Sequence, residues 1–139
     1  MCGITGFCDF SKKLNIEHLT KANAVLQHRG PDSGNEEVYD ARNATIGFGH
    51  RRLSILDVSV NGSQPMYSDD KSVVIILNGE IYNFKEIRKE LIERGYSFHS
   101  DSDTEVVIKA YQEYGIKSVD KFIGMFAYAI YDSKKEVIY

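Results

Sequence analysis

A run of five apolar residues, Val73 to Leu77, constrains the fold of this chain more than any other segment. Valine and isoleucine fill its first four positions, which predicts a strand, and its unbroken apolar character predicts that both faces are covered. The run is far too short to cross a bilayer. With 139 residues, of which 42% are hydrophobic, the chain predicts one domain with a buried core.

Extended and helical segments follow one another along the rest of the chain. The pattern predicts a helix over residues 15–27, with Asn15 as its N-cap. Two further helices are predicted after the capping boxes Asn83–Glu86 and Ser102–Glu105. The residues expected to be buried on the first two helices are Ile16, Leu19, Asn23, Leu26, Ile87 and Leu91. Other strands are predicted at 3–10, 45–50, 125–131 and 136–139, a helical turn at 118–123, and loops at 30–34 and 61–65.

The last predicted strand begins at Glu136 and stops at Tyr139. The hairpin that it forms with the predicted strand at 125–131 is therefore incomplete, and we expect the chain to be truncated at its C-terminal end.

The two cysteines are not expected to form a disulfide. If residues 3–10 form a strand, the two thiols lie ~20 Å apart. A disulfide requires Cα atoms within about 7 Å of each other. Cys8 is therefore predicted to be a buried small apolar residue, and Cys2 to be free.

Cys2 becomes the N-terminal residue if Met1 is removed, and its small size favours that removal. A thiol and an α-amine would then share one residue. In model compounds these groups titrate near pH ~8.5 and ~8, so the amine can take the proton of the thiol close to neutrality. This is the arrangement of N-terminal nucleophiles, although a cysteine can also occupy position 2 by chance.

The dipeptide Asn78-Gly79 has two interpretations. It could form a two-residue type I′ hairpin turn between two strands. Alternatively, a strand end could present the Asn78 amide and the Gly79 N–H as convergent donors to a developing oxyanion. Spacing alone does not separate the two.

Two charged segments also have both a structural and a functional interpretation. His50-Arg51-Arg52 is either a solvated basic face or the source of one guanidinium that pairs with a substrate carboxylate. A strand period of two puts Arg51 and Arg52 on opposite faces, so at most one would enter a shared pocket. Asp103 either stabilises the start of its helix or, together with Glu80, receives a substrate ammonium group.

Several motifs follow one another in a single order along nearly the whole chain. They are residues 1–6 (MCGITG), 28–32 (HRGPD), 49–57 (GHRRLSILD), 78–83 (NGEIYN), 102–105 (SDTE) and 124–127 (GMFA). Together they resemble the N-terminal glutaminase domain of class II glutamine amidotransferases, of the glutamine-hydrolysing asparagine synthetase type. The form NGEIYN favours this type over relatives that make glucosamine phosphate or phosphoribosylamine. Arg51 stands where the family often has an acid, and its strand parity indicates a surface substitution.

The resemblance implies an α+β fold of the N-terminal nucleophile hydrolase class, an αββα four-layer sandwich of two antiparallel sheets. It makes residues 1–139 an incomplete amidotransferase domain, and segment 28–32 is expected to be loop architecture. It also implies that Cys2 is the nucleophile, that its α-amine is the base, and that Asn78 and Gly79 form the oxyanion hole. The residues implied to bind glutamine are Arg52, Leu53, Ser54, Ile55, Leu56, Asn78, Gly79, Glu80 and Asp103.

The reaction implied by the resemblance is hydrolysis of glutamine to glutamate and ammonia through a thioester on Cys2. This half-reaction needs no metal or organic cofactor. In the family the ammonia passes to a C-terminal synthetase domain, which uses ATP and Mg²⁺ and usually amidates aspartate. The chain contains no Gly-rich phosphate loop, so we expect that it does not bind ATP productively alone and that the synthetase domain is not among these residues. An acceptor other than aspartate stays open.

Charge and targeting signals limit the other function classes. A net charge of −3 and the lack of a wide basic stripe disfavour nucleic-acid binding. No secretory signal or membrane span is visible, so we expect a cytoplasmic protein. A non-catalytic binding module related to amidotransferases is an alternative, but retention of Cys2 with the other site residues argues against it. The oligomeric state stays open, with a homodimer among the options.

Overall fold

The computed structural model describes residues 2–53 and 62–139. The strands of these segments form two antiparallel sheets, with the orders β1-β3-β2 and β4-β5-β6-β7. The strands are Gly3–Asp9 (β1), Ser33–Asp40 (β2), Thr45–Arg52 (β3), Met66–Tyr67 (β4), Val73–Ile81 (β5), Gly124–Asp132 (β6) and Val137–Ile138 (β7). The helices are Ile16–Val25 (α1), Phe84–Glu93 (α2) and Asp103–Tyr114 (α3), and a 3₁₀ helix at Gly115–Lys121 replaces the predicted turn at 118–123.

Helices cover the outer face of each sheet. α1 packs against all three strands of the first sheet, whereas α3 packs against β5 and α2 packs against α3. The layers are therefore helix, sheet, sheet and helix, which confirms the fold class implied by the resemblance. Within the described segments, every helix is too short or too polar to cross a membrane.

β5 explains why residues 73–77 are apolar without alternation. Val74 and Ile76 face the first sheet and join the core between the two sheets. Val73, Ile75 and Leu77 point the other way and join the core under α2 and α3. Both faces of the strand are covered, as predicted, because β5 lies in the interior of a layered sandwich.

α1 begins where the sequence predicts it, because Asn15 Oδ1 accepts hydrogen bonds from the first main-chain N–H groups of the helix. The helix ends two residues before the predicted boundary. Of the side chains expected to be buried, Leu19, Asn23, Ile87 and Leu91 are buried and Leu26 is half-buried. The prediction for Ile16 is wrong, since it is 46% exposed in the first turn of the helix.

Only half of the predicted capping box of α3 forms. Ser102 Oγ accepts a hydrogen bond from Thr104 N at 3.1 Å, as expected of an N-cap. The Glu105 carboxylate does not return to Ser102, because it accepts instead from the main-chain N–H and the hydroxyl of Ser100, at 2.8 and 2.6 Å. It therefore fixes the loop before α3.

The predicted capping box of α2 is wrong. Asn83 occupies the N-cap position, but its side chain makes no hydrogen bond to the helix. Its Nδ2 donates to Lys121 O and its Oδ1 accepts from Ile123 N, both at 2.9 Å. Asn83 therefore ties the start of α2 to the segment that leads into β6.

The sequence predicted neither the two-residue β4 nor the longer strand β2. Its residues, SGNEEVYD, are mostly polar, because β2 is an edge strand of the first sheet and is only partly covered. The strand starts at Ser33, so the predicted loop at 30–34 is shorter than expected. The predicted strand at 136–139 is reduced to the two residues of β7.

Cys2 and Cys8 are both free, as predicted, but Cys8 is exposed rather than buried. Cys8 lies on β1, which forms the other edge of the first sheet, and it lines a surface cavity with Phe10 and Ile138. The burial prediction is wrong because it depended on which strand would lie at the edge.

Candidate active site

The layer between the two sheets is apolar at one end and polar at the other. The apolar end contains Ile46, Phe48, Val74, Ile76 and Tyr131. By the strand period of two, the same face of β3 continues with His50 and Arg52, which are 1% and 8% exposed. The same face of β5 continues with Asn78 and Glu80. We refer to this second part as the polar end of the layer.

β1 brings Cys2 to the polar end. β1 pairs with β3 so that Gly3 lies opposite Arg51, and Cys2 therefore comes alongside the end of β3. The Cys2 Sγ accepts a hydrogen bond from Leu53 N at 3.3 Å, and the thiol donates to Leu53 O at 3.6 Å. The thiol is thus half-buried and held by the main chain that follows Arg52.

Segment 28–32, expected to be loop architecture, contacts the same residue. Arg29 Nε donates to Cys2 O at 3.1 Å. Gly30 packs so closely on β3 that a Cβ atom there would lie 2.3 Å from the Arg51 carbonyl carbon. The segment therefore holds both Cys2 and the end of β3.

Main-chain N–H groups at one edge of β5 face the same region. β5 runs on to Ile81 well beyond the end of β4, and antiparallel alternation directs the N–H groups of Leu77, Gly79 and Ile81 to that edge. Gln64 Oε1 accepts from Leu77 N at 2.6 Å. Asp103 Oδ2 accepts from Ile81 N at 2.9 Å. The Gly79 N–H lies between these two.

The hairpin interpretation of Asn78-Gly79 is excluded, because β5 passes through both residues and pairs with β6 along its length. Gly79 has a φ of 138°, and a Cβ atom there would lie 2.1 Å from Met125 O, so glycine is required. Asn78 Oδ1 is buried, and within residues 2–53 and 62–139 it has no hydrogen-bond partner.

Two carboxyl groups lie close together at the polar end. Asp103 is 5% exposed at the start of α3, and this burial raises the pKa of its carboxyl, although the hydrogen bond from Ile81 N acts in the opposite direction. Burial and the neighbouring charge of Asp103 also raise the pKa of Glu80. A cation placed beside both would stabilise their ionised forms. The pair is thus chemically suited to receive a cation, and Asp103 also lies where an acid stabilises the start of its helix.

Arg51 and Arg52 lie on opposite faces of β3, as predicted. Arg52 is buried at the polar end of the layer. Arg51 Nε donates to Asn23 O of α1 at 3.1 Å, and its guanidinium lies over Gly34. The basic run is therefore not a solvated face, and Arg51 is half-buried beneath α1 rather than fully on the surface.

His50 is neutral in this environment. Burial lowers the pKa of His50 to about 4, and the charge of Arg52 acts in the same direction, although a hydrogen bond with the Leu77 main chain opposes both. His50 Nε2 is buried and finds no hydrogen-bond partner in the described part of the chain. His50 thus adds a polar group at the polar end without adding a charge.

The structure brings most of the implied site residues to one region. They are Cys2, Arg52, Leu53, Asn78, Gly79, Glu80 and Asp103, whereas Ser54, Ile55 and Leu56 lie outside the described residues. Sequence reasoning missed the contacts of Arg29 and Gln64, although the motif at 28–32 marked the first of them. No three His, Cys, Asp or Glu side chains among the described residues could together hold a metal ion.

The chain is similar to known proteins along its whole length. Residues 1–139 match the glutamine amidotransferase domain family. The chain is 43% identical to asparagine synthetase 1 (glutamine-hydrolyzing) of Bacillus subtilis over 100% of its length, and 44% identical to asparagine synthetase B (glutamine-hydrolyzing) of Escherichia coli over 98%. A solved structure of glutamine phosphoribosylpyrophosphate amidotransferase from B. subtilis is similar with a TM-score of 0.68, at 20% identity, over 95% of this chain and 35% of that one.

The chain therefore belongs to the glutamine amidotransferase family. The likeness to the solved structure shows that the two proteins share a fold. The chain spans only 22% and 24% of the length of the two asparagine synthetases.

Proposed function

We propose that this domain hydrolyses glutamine to glutamate and ammonia, with Cys2 as the nucleophile. The observation that carries the proposal is the position of the Cys2 thiol, which is hydrogen-bonded to Leu53 N at 3.3 Å directly after the buried Arg52. Membership of the glutamine amidotransferase family supports the same reaction.

The proposed mechanism is acyl transfer to sulfur. After removal of Met1, the α-amine of Cys2 takes the proton of the thiol, and the thiolate attacks the side-chain carbonyl carbon of glutamine. The Asn78 amide and the Gly79 N–H stabilise the oxyanion. The carbon–nitrogen bond breaks and ammonia leaves with the transferred proton. Water then hydrolyses the γ-glutamyl thioester, which releases glutamate and restores the thiol.

The two ends of glutamine would be held by opposite charges. Arg52 would pair with the α-carboxylate, assisted by the main chain from Leu53 onward. Glu80 and Asp103 would bind the α-ammonium group, and its positive charge would favour the ionised forms of both acids. The carboxamide would then lie between Cys2 and the edge of β5.

We further propose that the ammonia serves asparagine synthesis in a longer protein. The printed names of the relatives support this, and so does the small share of their length that the chain spans. A synthetase domain after residue 139 would bind ATP and Mg²⁺ and activate the carboxylate of aspartate, or of another acceptor. This domain itself would act without a cofactor, in the cytoplasm.

The experiment is a glutamate-release assay on Cys2→Ala, with Cys8→Ala as the matched control. Cys2→Ala should abolish release and leave the fold intact, because the thiol bonds only to Leu53 in the described part of the chain. Cys8→Ala should keep full activity, because Cys8 is exposed on β1. N-terminal mass spectrometry must show that Met1 is absent. Glutamate release by Cys2→Ala would remove Cys2 from its role.

A further inference from the structure

Gln64 lies in the segment predicted to be a loop, yet only 6% of it is exposed. Both polar atoms of its side-chain amide form hydrogen bonds. Its Oε1 accepts from Leu77 N at 2.6 Å, and its Nε2 donates to Thr104 Oγ1 at 3.2 Å. Asn35 Nδ2 also donates to the Gln64 carbonyl, at 3.1 Å. The side-chain amide therefore links the edge of β5 to the first turn of α3.

The short β4 explains why a side chain is needed here. β4 pairs Met66 with Ile75, and this register, extended backwards, places Gln64 opposite Leu77. The strand does not extend that far, and Pro65 has no N–H with which to continue it. A buried N–H without an acceptor is costly. The Gln64 side chain thus supplies the acceptor that the main chain of a longer β4 would have supplied.

We propose that Gln64 is a positioning residue for the oxyanion hole. The Gln64 side chain accepts from Leu77 N, two residues before Gly79. The Asp103 carboxylate accepts from Ile81 N, two residues after Gly79. Thr104 follows Asp103 on α3, so the bond from Gln64 to Thr104 closes a ring of side chains around this part of β5. The ring fixes the direction of the Gly79 N–H. The inference rests on the proposed function, because that direction matters only if an oxyanion forms there.

Gln64→Met tests the proposal, because methionine has a side chain of similar length but lacks the amide oxygen and nitrogen of glutamine. We expect kcat for glutamine hydrolysis to fall roughly ten- to hundredfold, less than the ~10²–10³ typical of losing a whole oxyanion donor. Alkylation of Cys2 by iodoacetamide should keep its rate, because displacement at an alkyl carbon forms no oxyanion. All proteins in this test carry Cys8→Ser, since Cys8 is exposed and would also react.

Thr104 supplies matched controls on the other side of the ring. Thr104→Ser keeps the hydroxyl and should retain the kcat of the Cys8→Ser parent. Thr104→Val removes the hydroxyl at nearly constant volume and should lower kcat by less than Gln64→Met does. The double variant Gln64→Met/Thr104→Val should have the same kcat as Gln64→Met alone, because both substitutions break the same ring of side chains.

Two results would overturn the inference. One is an unchanged kcat in Gln64→Met, and the other is a fall in kcat matched by an equal fall in Cys2 alkylation, which would indicate a merely structural role. If Gln64→Met fails to fold, equal kcat values for Thr104→Val and Thr104→Ser overturn it instead. A parent protein that releases no glutamate would overturn the proposed function, and this inference with it.

Discussion

The two ends of the layer between the sheets share the same strands but differ in what their side chains contribute. At the apolar end, Phe48 of β3 packs in one cluster with Ile76 of β5. At the polar end, only two and four residues further along β3, His50 and Arg52 are also buried. Burial of apolar surface stabilises a fold, whereas burial of polar groups costs free energy unless they are paired. The apolar end therefore stabilises the arrangement that the polar end needs.

The largest expected effect on kcat belongs to the polar end. Asn78→Ala should lower kcat by ~10²–10³, equivalent to about 3 kcal/mol, because one proposed donor to the oxyanion is lost. The free energy of unfolding should change little, because the Asn78 Oδ1 has no partner among the described residues. Steady-state kinetics and urea unfolding of the same preparation check both parts. An effect confined to KM would count against an oxyanion role.

The apolar end should show the opposite pattern. Ile76→Ala removes a side chain that is 2% exposed, so the free energy of unfolding should fall by about 2–5 kcal/mol. The kcat and KM of the folded fraction should stay unchanged at a permissive temperature. Val25→Ala, at a position 74% exposed on α1, is the control and should leave stability unaltered. A loss of kcat in folded Ile76→Ala would mean that the two ends are not separable.

The lowered pKa of His50 predicts how the free energy of unfolding depends on pH. Its pKa is lowered to about 4 in the folded chain, while the unfolded chain takes up the proton near pH ~6.5. Since the unfolded state binds more protons between these values, the free energy of unfolding should fall by up to about 3 kcal/mol as pH drops from 6.5 to 4. His50→Gln should flatten that dependence. Unfolding curves at several pH values test it, and parallel curves for the two proteins would contradict it.

A change at Asp103 should alter stability in the opposite direction to the loss at Ile76. Its pKa is raised in the folded state, so its ionisation disfavours folding, and that penalty is present once pH exceeds the raised pKa. Asp103→Asn should therefore raise the free energy of unfolding at neutral pH, because the neutral amide avoids that penalty. The same change should raise KM for glutamine about tenfold, because one carboxylate for the ammonium group is lost. An unchanged KM would leave Asp103 only a structural role.

The features predicted best from the sequence are those that local chemistry determines. The apolar run at 73–77 predicts a covered strand, and Ser102 caps its helix with its own hydroxyl. β2 and Cys8 were mispredicted because their burial depends on which strands lie at the edges of the first sheet. The order of strands in a sheet is set by contacts between distant residues, and no local pattern records it.

The residues of the candidate site likewise fall into those that the sequence indicates and those that only the folded chain reveals. The motifs that carry the resemblance pointed to Cys2, Arg52 and Asp103, and the structure brings these elements to one end of the sandwich. Gln64 could not be found in this way, because its partners Leu77 and Thr104 are separated from it by 13 and 40 residues. A glutamine in a polar segment carries no sign of such contacts until the chain is folded.

β4 contains only two residues, and its shortness leaves the edge of β5 beyond Ile75 without a neighbouring strand among the described residues. If β4 ran on alongside β5, backbone carbonyls would occupy the place where a substrate carbonyl is proposed to enter. The proposed reaction therefore requires that β4 stop short, so that the amide of the substrate can take the place of a neighbouring strand beside Gly79. Extending β4 back to residue 62, which this register places opposite Gly79, would give a more regular sheet whose own carbonyl occupied the proposed substrate position.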